Sequence, residues 1–261
     1  MFGTTGLIRS GQFEAIQDAL GWGPREKPDA GGEMFDGIWG RATHGDRVLA
    51  PAHASPIQLG HGAYTIGKRA LDVSLVMLSA PLTLPVTLGL ALLASLDGHA
   101  PFYLQTRVGR HGRLFRLWKL RTMVPDAEAR LAAHLASDPE ARAEWDANQK
   151  LRCDPRLTRI GGFLRRYSLD ELPQLWNVLL GDMSLVGPRP MMPEQRTLYP
   201  GTAYFDLRPG LTGLWQVSER NNCTFAERAA YDNLYAQSIS FRTDLKVIAQ
   251  TVSVVLRGTG C

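Results

Sequence analysis

Between Asp72 and Asp97 the chain runs for twenty-four residues without a charge (Val73–Leu96, VSLVMLSAPLTLPVTLGLALLASL), and no other feature limits the fold as strongly. A straight helix of that length rises about 36 Å, enough to cross a hydrocarbon core of about 30 Å. Two features argue against a simple span. Pro81 and Pro85 sit near the middle of the run, and each interior proline removes a backbone bond and costs about 3 kcal/mol. The flanks are basic on both sides, with Lys68 and Arg69 before the run and Arg107, Arg110, Arg113, Arg116, Lys119 and Arg121 after it. Positive flanks favour the cytoplasm, so both ends belong on one side. A helix that enters, breaks at the prolines and returns satisfies both facts, each half reaching about 18 Å, roughly mid-bilayer. A spanning helix and a buried core helix are the alternatives.

The stretch before the run reads differently. Residues 1–67 hold 13 of the 26 glycines, in GWG, GG and GIWG breaks, and only Gly11–Leu20 has helical character. That composition predicts a flexible leader, and it lacks the basic-then-apolar pattern of a secretion signal. Residues 1–60 carry five Lys/Arg against seven Asp/Glu, so the overall +4 conceals a balance of +6 over residues 61–261. A basic balance of that size suits phosphate-rich partners without choosing among nucleotides, nucleic acid and anionic lipid. Three cysteines (Cys153, Cys223, Cys261) without C-x-x-C spacing point to neither a disulfide framework nor a zinc site.

After the run, Arg113–Met123 (RLFRLWKLRTM) alternates large apolar and basic residues, as a half-buried strand does. Asp126–Lys150 reads as a charged helical insertion, cut at Ser137-Asp138-Pro139, where a second helix starts. Thr224-Phe225-Ala226-Glu227 is a capping-box start for a helix running to about Ser238. Thr243–Leu256 puts Leu245, Ile248, Ala249, Val252 and Val255 on one face, which either lies on a membrane surface or caps the core.

The candidate chemistry lies in Arg165–Gln174 (RRYSLDELPQ), where Asp170 and Glu171 sit between an arginine pair and a proline. Ser168-x-x-Glu171 matches a helix cap, but Pro173 prefers the first turn and moves the expected start to about Asp170–Leu172. Both acids then sit at a helix N-terminus, where backbone donors also attract phosphate. Gly181–Pro190 (GDMSLVGPRP) is a rigid turn presenting Arg189 between prolines, a residue suited to bidentate phosphate recognition or simply an exposed turn residue. Arg208–Asn221 (RPGLTGLWQVSERN) is a second such loop, with Trp215 and Gln216 able to touch a base or sugar. No Walker loop, G-x-G-x-x-G, G-x-S-x-G or H-E-x-x-H occurs.

Taken together, these segments resemble the bacterial sugar transferase family, the monotopic phosphoglycosyl transferases. The likeness runs from Lys68 to about Leu256. It is carried, in order, by K-R-x-x-D (Lys68, Arg69, Asp72), W-K-L-R-T-M, S-L-D-E-L-P-Q-L-W-N, G-D-M-S-L-V-G-P-R-P and R-P-G-L-T-G-L-W-Q-V. The resemblance implies an α+β, helix-rich fold: an N-terminal re-entrant membrane helix, a small strand or hairpin element, and amphipathic interfacial helices around a cytoplasmic catalytic domain. The expected divisions are a leader at 1–67, the membrane helix at 68–97 and the catalytic domain at 98–261.

It also implies a reaction. A sugar-1-phosphate, galactose or glucose in the exopolysaccharide-type members, moves from a UDP-sugar to undecaprenyl phosphate with release of UMP, at the cytoplasmic face of the bacterial inner membrane. Under this resemblance Asp170 is the nucleophile that takes the phosphosugar covalently, and Glu171 is its acid–base neighbour. Mg²⁺ sits on Asp170 and the diphosphate. Lys119, Arg165, Arg189 and Arg208 are the substrate-binding cations. The family's Ser-Pro pair reads Leu84-Pro85 here, so Pro85 and Pro81 both stand as the break. Membrane lipid is an expected partner, nucleic acid is not, and a homo-oligomer is left open.

The chemistry is coherent, because a carboxylate attacking a charged diphosphate needs a metal and cations to offset repulsion. A covalent relay predicts ping-pong kinetics. Two readings of another class stay open: a non-catalytic membrane-bound scaffold for polysaccharide synthesis, and a nucleic-acid binder, which leaves the apolar run without a purpose.

Overall fold

In a computed structural model that describes residues 62–148, 151, 153–218 and 228–258, the apolar run folds as part of one long helix, α1 (Gly62–Ser95). It takes in residues 62–67 of the expected leader; the rest of that leader, including the Gly11–Leu20 segment, lies outside the described residues. Pro81 and Pro85 both lie inside the helix. Its hydroxyls turn inward on its own backbone: Ser79 Oγ donates to Val76 O (3.0 Å), Thr83 Oγ1 to Ser79 O (3.1 Å) and Thr87 Oγ1 to Thr83 O (2.7 Å). That arrangement suits surroundings with no water to bond.

Packing along α1 is uneven. Val76 is buried with Leu117, Val178 and Met183, and Ala91 with Leu120 and Leu164. Between these two anchor points, from Pro81 to Gly89, every residue is exposed except the half-buried Thr83 and Thr87. The helix is long and apolar enough to cross a membrane.

Beyond α1 the alternating segment forms a strand as expected. β1 (Phe102–Val108) and β2 (Leu114–Leu120) make an antiparallel hairpin in which Phe102 faces Leu120 and Tyr103 faces Lys119. A 3-10 turn (Arg110–Gly112) closes it, with positive φ at His111 and Gly112. The insertion folds as α2 (Ala127–Ser137) and α3 (Pro139–Asn148). The cut between them is local chemistry: Asp138 Oδ1 accepts from the Glu140 and Ala141 amides (2.9 and 3.0 Å), with Pro139 as the first helical residue.

Next come α4 (Arg159–Arg166), α5 (Gln174–Leu180), β3 (Ser184–Val186), α6 (Ala203–Asp206), β4 (Gly210–Thr212) and α7 (Leu214–Val217). β3 and β4 pair in parallel, Ser184 opposite Gly210. A Cβ on Gly210 would stand 2.1 Å from the Gly187 amide nitrogen, so only glycine lets the two backbones close up here. That contact brings the Pro188–Pro190 turn against β4.

Two helices complete the described chain, α8 (Arg228–Gln237) and α9 (Phe241–Arg257). The capping box at Thr224–Glu227 lies outside the described residues. On α9 the core side is made by Thr243, Asp244 and Val247, whereas Leu245 and Val252 from the expected apolar face are more than half exposed, at 52% and 55%. That face does not cap the core.

Candidate active site

The acidic pair sits in a 3-10 turn of its own, Leu169–Glu171. Sequence reasoning puts the helix start at the acids; in the structure α5 begins at Gln174 with Pro173 as its cap. The reason is Ser168, which takes a left-handed conformation (φ 54°) and makes no capping bond, so the chain turns sharply before the helix begins. Asn177 fixes the segment in space. Fully buried on α5, it accepts the Trp118 amide through Oδ1 (3.0 Å) and donates Nδ2 to Arg116 O (2.8 Å). The acidic turn is thereby held beside β2, which carries Lys119.

The two acids differ in their surroundings. Glu171 Oε1 takes Lys119 Nζ at 3.1 Å and Arg189 Nη2 at 3.2 Å. Asp170 is buried, and its one ion pair among the described residues is Lys119 at 3.7 Å, beyond hydrogen-bond reach. Burial pushes the Asp170 carboxyl above the ordinary aspartate range; the Lys119 charge opposes that, and the Glu171 charge adds to it. Arg165 donates Nε to Thr122 Oγ1 (2.9 Å) and forms no ion pair with Asp170 among the described residues, acting on it through its field.

A cleft beside the pair is lined by Arg107, Lys119, Glu171, Gln174, Arg189 and Gln216. Gln216 reaches the cleft as the loop reading expects, whereas Arg107 and Gln174 are site residues that the sequence reading does not single out. Arg107 donates Nη1 to Pro190 O (3.2 Å), and burial followed by the like charge of Arg189 lowers its pKa to about 10. Gln216, placed by α7, donates Nε2 to Leu211 O (2.8 Å), and its Oε1 is buried without a partner among the described residues.

A third unexpected residue, Arg228, is buried on α8, donates Nη2 to Arg189 O (3.0 Å) and stacks over Trp215 at 4.7 Å. One turn on, Asp232 accepts from Tyr199 Oη (2.8 Å), and burial lifts its carboxyl to about 6. The turn that presents Arg189 is thus gripped from two elements. The strand bearing Arg107 carries only a compositional signal, the β-formers Phe102, Tyr103, Thr106 and Val108; nothing local marks Arg228. Trp215 meets Arg228 rather than open cleft. Arg208 lies elsewhere, donating Nε to Gly181 O (3.0 Å) and lining a different cleft.

This donor set fits Mg²⁺ in one way. Among the described residues no group of three or more acidic, His or Cys side chains is assembled, but Mg²⁺ takes only one or two carboxylates when phosphate oxygens and water fill its shell. Asp170 and Glu171 meet that need. With several cations around two acids, the site can hold a diphosphate and offer it a carboxylate.

The bacterial sugar transferase family model matches residues 63–258. The UDP-galactose-lipid carrier transferase of Erwinia amylovora is 46% identical over 195 residues, covering 74% of this chain and 41% of that protein. The undecaprenyl-phosphate galactose phosphotransferase of Salmonella typhimurium is 43% identical over 195 residues, with the same coverage of 74% and 41%. The chain therefore spans about two fifths of the length of those relatives. The exopolysaccharide production protein ExoY of Rhizobium meliloti is 41% identical over 198 residues, covering 75% of this chain and 88% of that protein.

Proposed function

The chain belongs to the bacterial sugar transferase family, and from that premise we propose that it transfers a sugar-1-phosphate from a UDP-sugar to undecaprenyl phosphate at the inner face of the bacterial cytoplasmic membrane, for exopolysaccharide synthesis. The names of its relatives support a galactosyl or glucosyl donor. The observation that carries the reading is the asymmetry of the acidic pair. Glu171 is tied to two cations, while Asp170 lies buried beside them with no hydrogen bond committing its oxygens among the described residues.

The chemistry then runs as follows. Lys119, Arg189 and Arg107 draw the diphosphate to the cleft, offsetting the repulsion between its charge and the carboxylates. An Asp170 oxygen attacks the phosphorus that bears the sugar. The bond to the bridging oxygen breaks, UMP leaves with that oxygen, and the sugar phosphate becomes esterified to Asp170. A phosphate oxygen of the polyprenyl acceptor then attacks the same phosphorus, giving the lipid diphosphosugar and freeing the carboxylate; Glu171 takes up any proton the acceptor phosphate carries. Mg²⁺ held by Asp170 and Glu171 would supply further neutralisation of the diphosphate.

The same reading makes α1 a re-entrant helix, and three observations support it. Both ends are tied to one body: Lys68 to Asp244 at 2.8 Å before the run, and Arg121 to Ala94 O (2.7 Å) and the Asp97 carboxylate after it. Val76 and Ala91, about 22 Å apart on a straight helix, pack in clusters with Leu117 and Leu120, only about 10 Å apart on one strand. Nine large apolar side chains between Val73 and Leu96 are exposed, a contiguous apolar surface of the kind that soluble monomers rarely leave to water and that lipid would cover.

The test is Asp170→Asn in membranes given UDP-sugar and undecaprenyl phosphate. UMP release should vanish, and labelled sugar phosphate, trapped on the wild-type chain by rapid quench, should be absent from the variant. Full turnover by the variant rejects the covalent role.

A further inference from the structure

A second cleft, larger than the first and open to solvent, lies between the first turns of α1, the β1–β2 turn, β3, α6 and the approach to β4. Its charged lining is Lys68, Asp72, Arg110, Asp206 and Arg208, and none of these touches the acidic pair. Two of the charges are already committed. Lys68 is paired with buried Asp244 at 2.8 Å, and Asp72 accepts the Leu185 amide at 3.1 Å.

The two arginines are not. Arg208 uses Nε on Gly181 O, and neither it nor Arg110 forms an ion pair among the described residues. Arg110 Nε is buried with no acceptor among the described residues. The guanidiniums also crowd one another: burial, then the charges of Arg110 and Arg69, push the Arg208 pKa down, with Asp72 opposing them. Like charges gathered at the wall of an open cleft, with donors unfilled, are an anion site wanting its anion. Asp206 forms no ion pair with either arginine among the described residues, and with Arg69 close enough to act on Arg208, three guanidiniums face the carboxylates of Asp72 and Asp206, which leaves the site cationic.

The level of the cleft selects the anion. Tyr64, Thr65, Lys68 and Asp72 share one face of α1 and end at the residue before the uncharged run. They cover about 12 Å of helix, the last ~7 Å of it within the depth of one headgroup layer, roughly 5–8 Å. Half-buried Ile239 lines the same cleft over the buried Val186 and Leu207, an apolar side for the beginning of an acyl chain. We propose that this cleft is a headgroup site, in which Arg110 and Arg208 hold the phosphate of an anionic phospholipid beside the foot of α1, separate from the catalytic cleft. The proposal rests on the membrane reading of α1 but not on the covalent mechanism.

The test uses the full chain in a neutral detergent, titrated with short-chain phosphatidylglycerol, phosphatidylcholine of equal chain length and inorganic phosphate, with bound lipid read by native mass spectrometry. One equivalent of phosphatidylglycerol should bind saturably and more tightly than phosphatidylcholine. Arg110→Gln should weaken that binding about tenfold or more, and Arg110→Lys should restore part of it. Asp170→Asn should bind as the wild type does.

Equal binding by Arg110→Gln overturns the proposal, and so does loss of binding in Asp170→Asn, which would put the lipid in the catalytic cleft. Inorganic phosphate competing at the same concentrations as the lipid overturns the lipid assignment. If Arg110→Gln does not fold, wild-type binding that ignores added salt overturns it as well. Sedimentation of the wild type with phosphatidylcholine vesicles tests the membrane reading separately, since α1 alone should carry the chain down.

Discussion

Asp170 and Glu171 are adjacent in the chain and opposite in circumstance, and Lys119 is the group that both share. Its charge holds down an Asp170 carboxyl that burial raises. In the proposed reaction the attacking form is the carboxylate, so activity should be lost as pH falls through the Asp170 pKa. Removing the Lys119 charge raises that pKa and moves the loss to higher pH. Lys119→Met should therefore shift the acid limb of the kcat/KM profile upward. It should also lower kcat/KM at neutral pH by ~10-fold or more, a charge-assisted bond being worth ~1.5–3 kcal/mol. A profile with an unmoved acid limb would mean that Lys119 acts only on substrate.

At the scale of the element, α1 carries a built-in conflict. Pro81 and Pro85 lack the amide hydrogens that would reach the Met77 and Pro81 carbonyls, yet this segment is the one that meets neither water nor protein in the re-entrant reading. A bend there exposes few partners and returns the C-terminal end to Arg121, whose guanidinium takes Ala94 O, Ala100 O (2.8 Å) and Asp97. Cysteines placed at positions 60 and 99, with the native cysteines changed to serine, should react from the same side of the membrane. Replacing both prolines by alanine regains two backbone bonds and removes roughly 3 kcal/mol per proline from the straight helix. A fraction of that variant should then label at 99 from the opposite side. Opposite-side labelling of the unaltered helix would instead establish a span.

Across the whole molecule, α1 and α9 are joined through one buried carboxylate. Asp244 accepts from Tyr64 Oη (2.8 Å), Lys68 Nζ (2.8 Å) and Tyr235 Oη (2.7 Å). Three donors on two other helices thus converge on one residue of α9, next to the cleft that holds Arg110 and Arg208. Asp244→Ala leaves the Lys68 charge and two hydroxyls without their acceptor, and should cost about 3–5 kcal/mol. Thermal unfolding in detergent should show a Tm several degrees lower, with Asp244→Asn falling between. Unchanged Tm would mean that the junction contributes nothing to holding α1.

Much of this was written in the chain by local composition. An uncharged run of twenty-four residues with two interior prolines limits its own surroundings wherever it is placed. Alternation makes β2 a strand, and Ser-Asp-Pro divides α2 from α3 through bonds among near neighbours. The acidic pair was visible because two carboxylates among arginines are unusual in any fold. What the sequence alone did not determine is which cations meet those acids. Lys119 arrives because Asn177 pins α5 to β2, and Arg189 because Gly187 and Gly210 let two backbones touch and Arg228 grips its carbonyl. The same packing sends Arg208 to another cleft and leaves the apolar face of α9 outside the core. Such pairings join residues far apart in the chain, and their energy appears only once the elements have packed, so no local pattern records them.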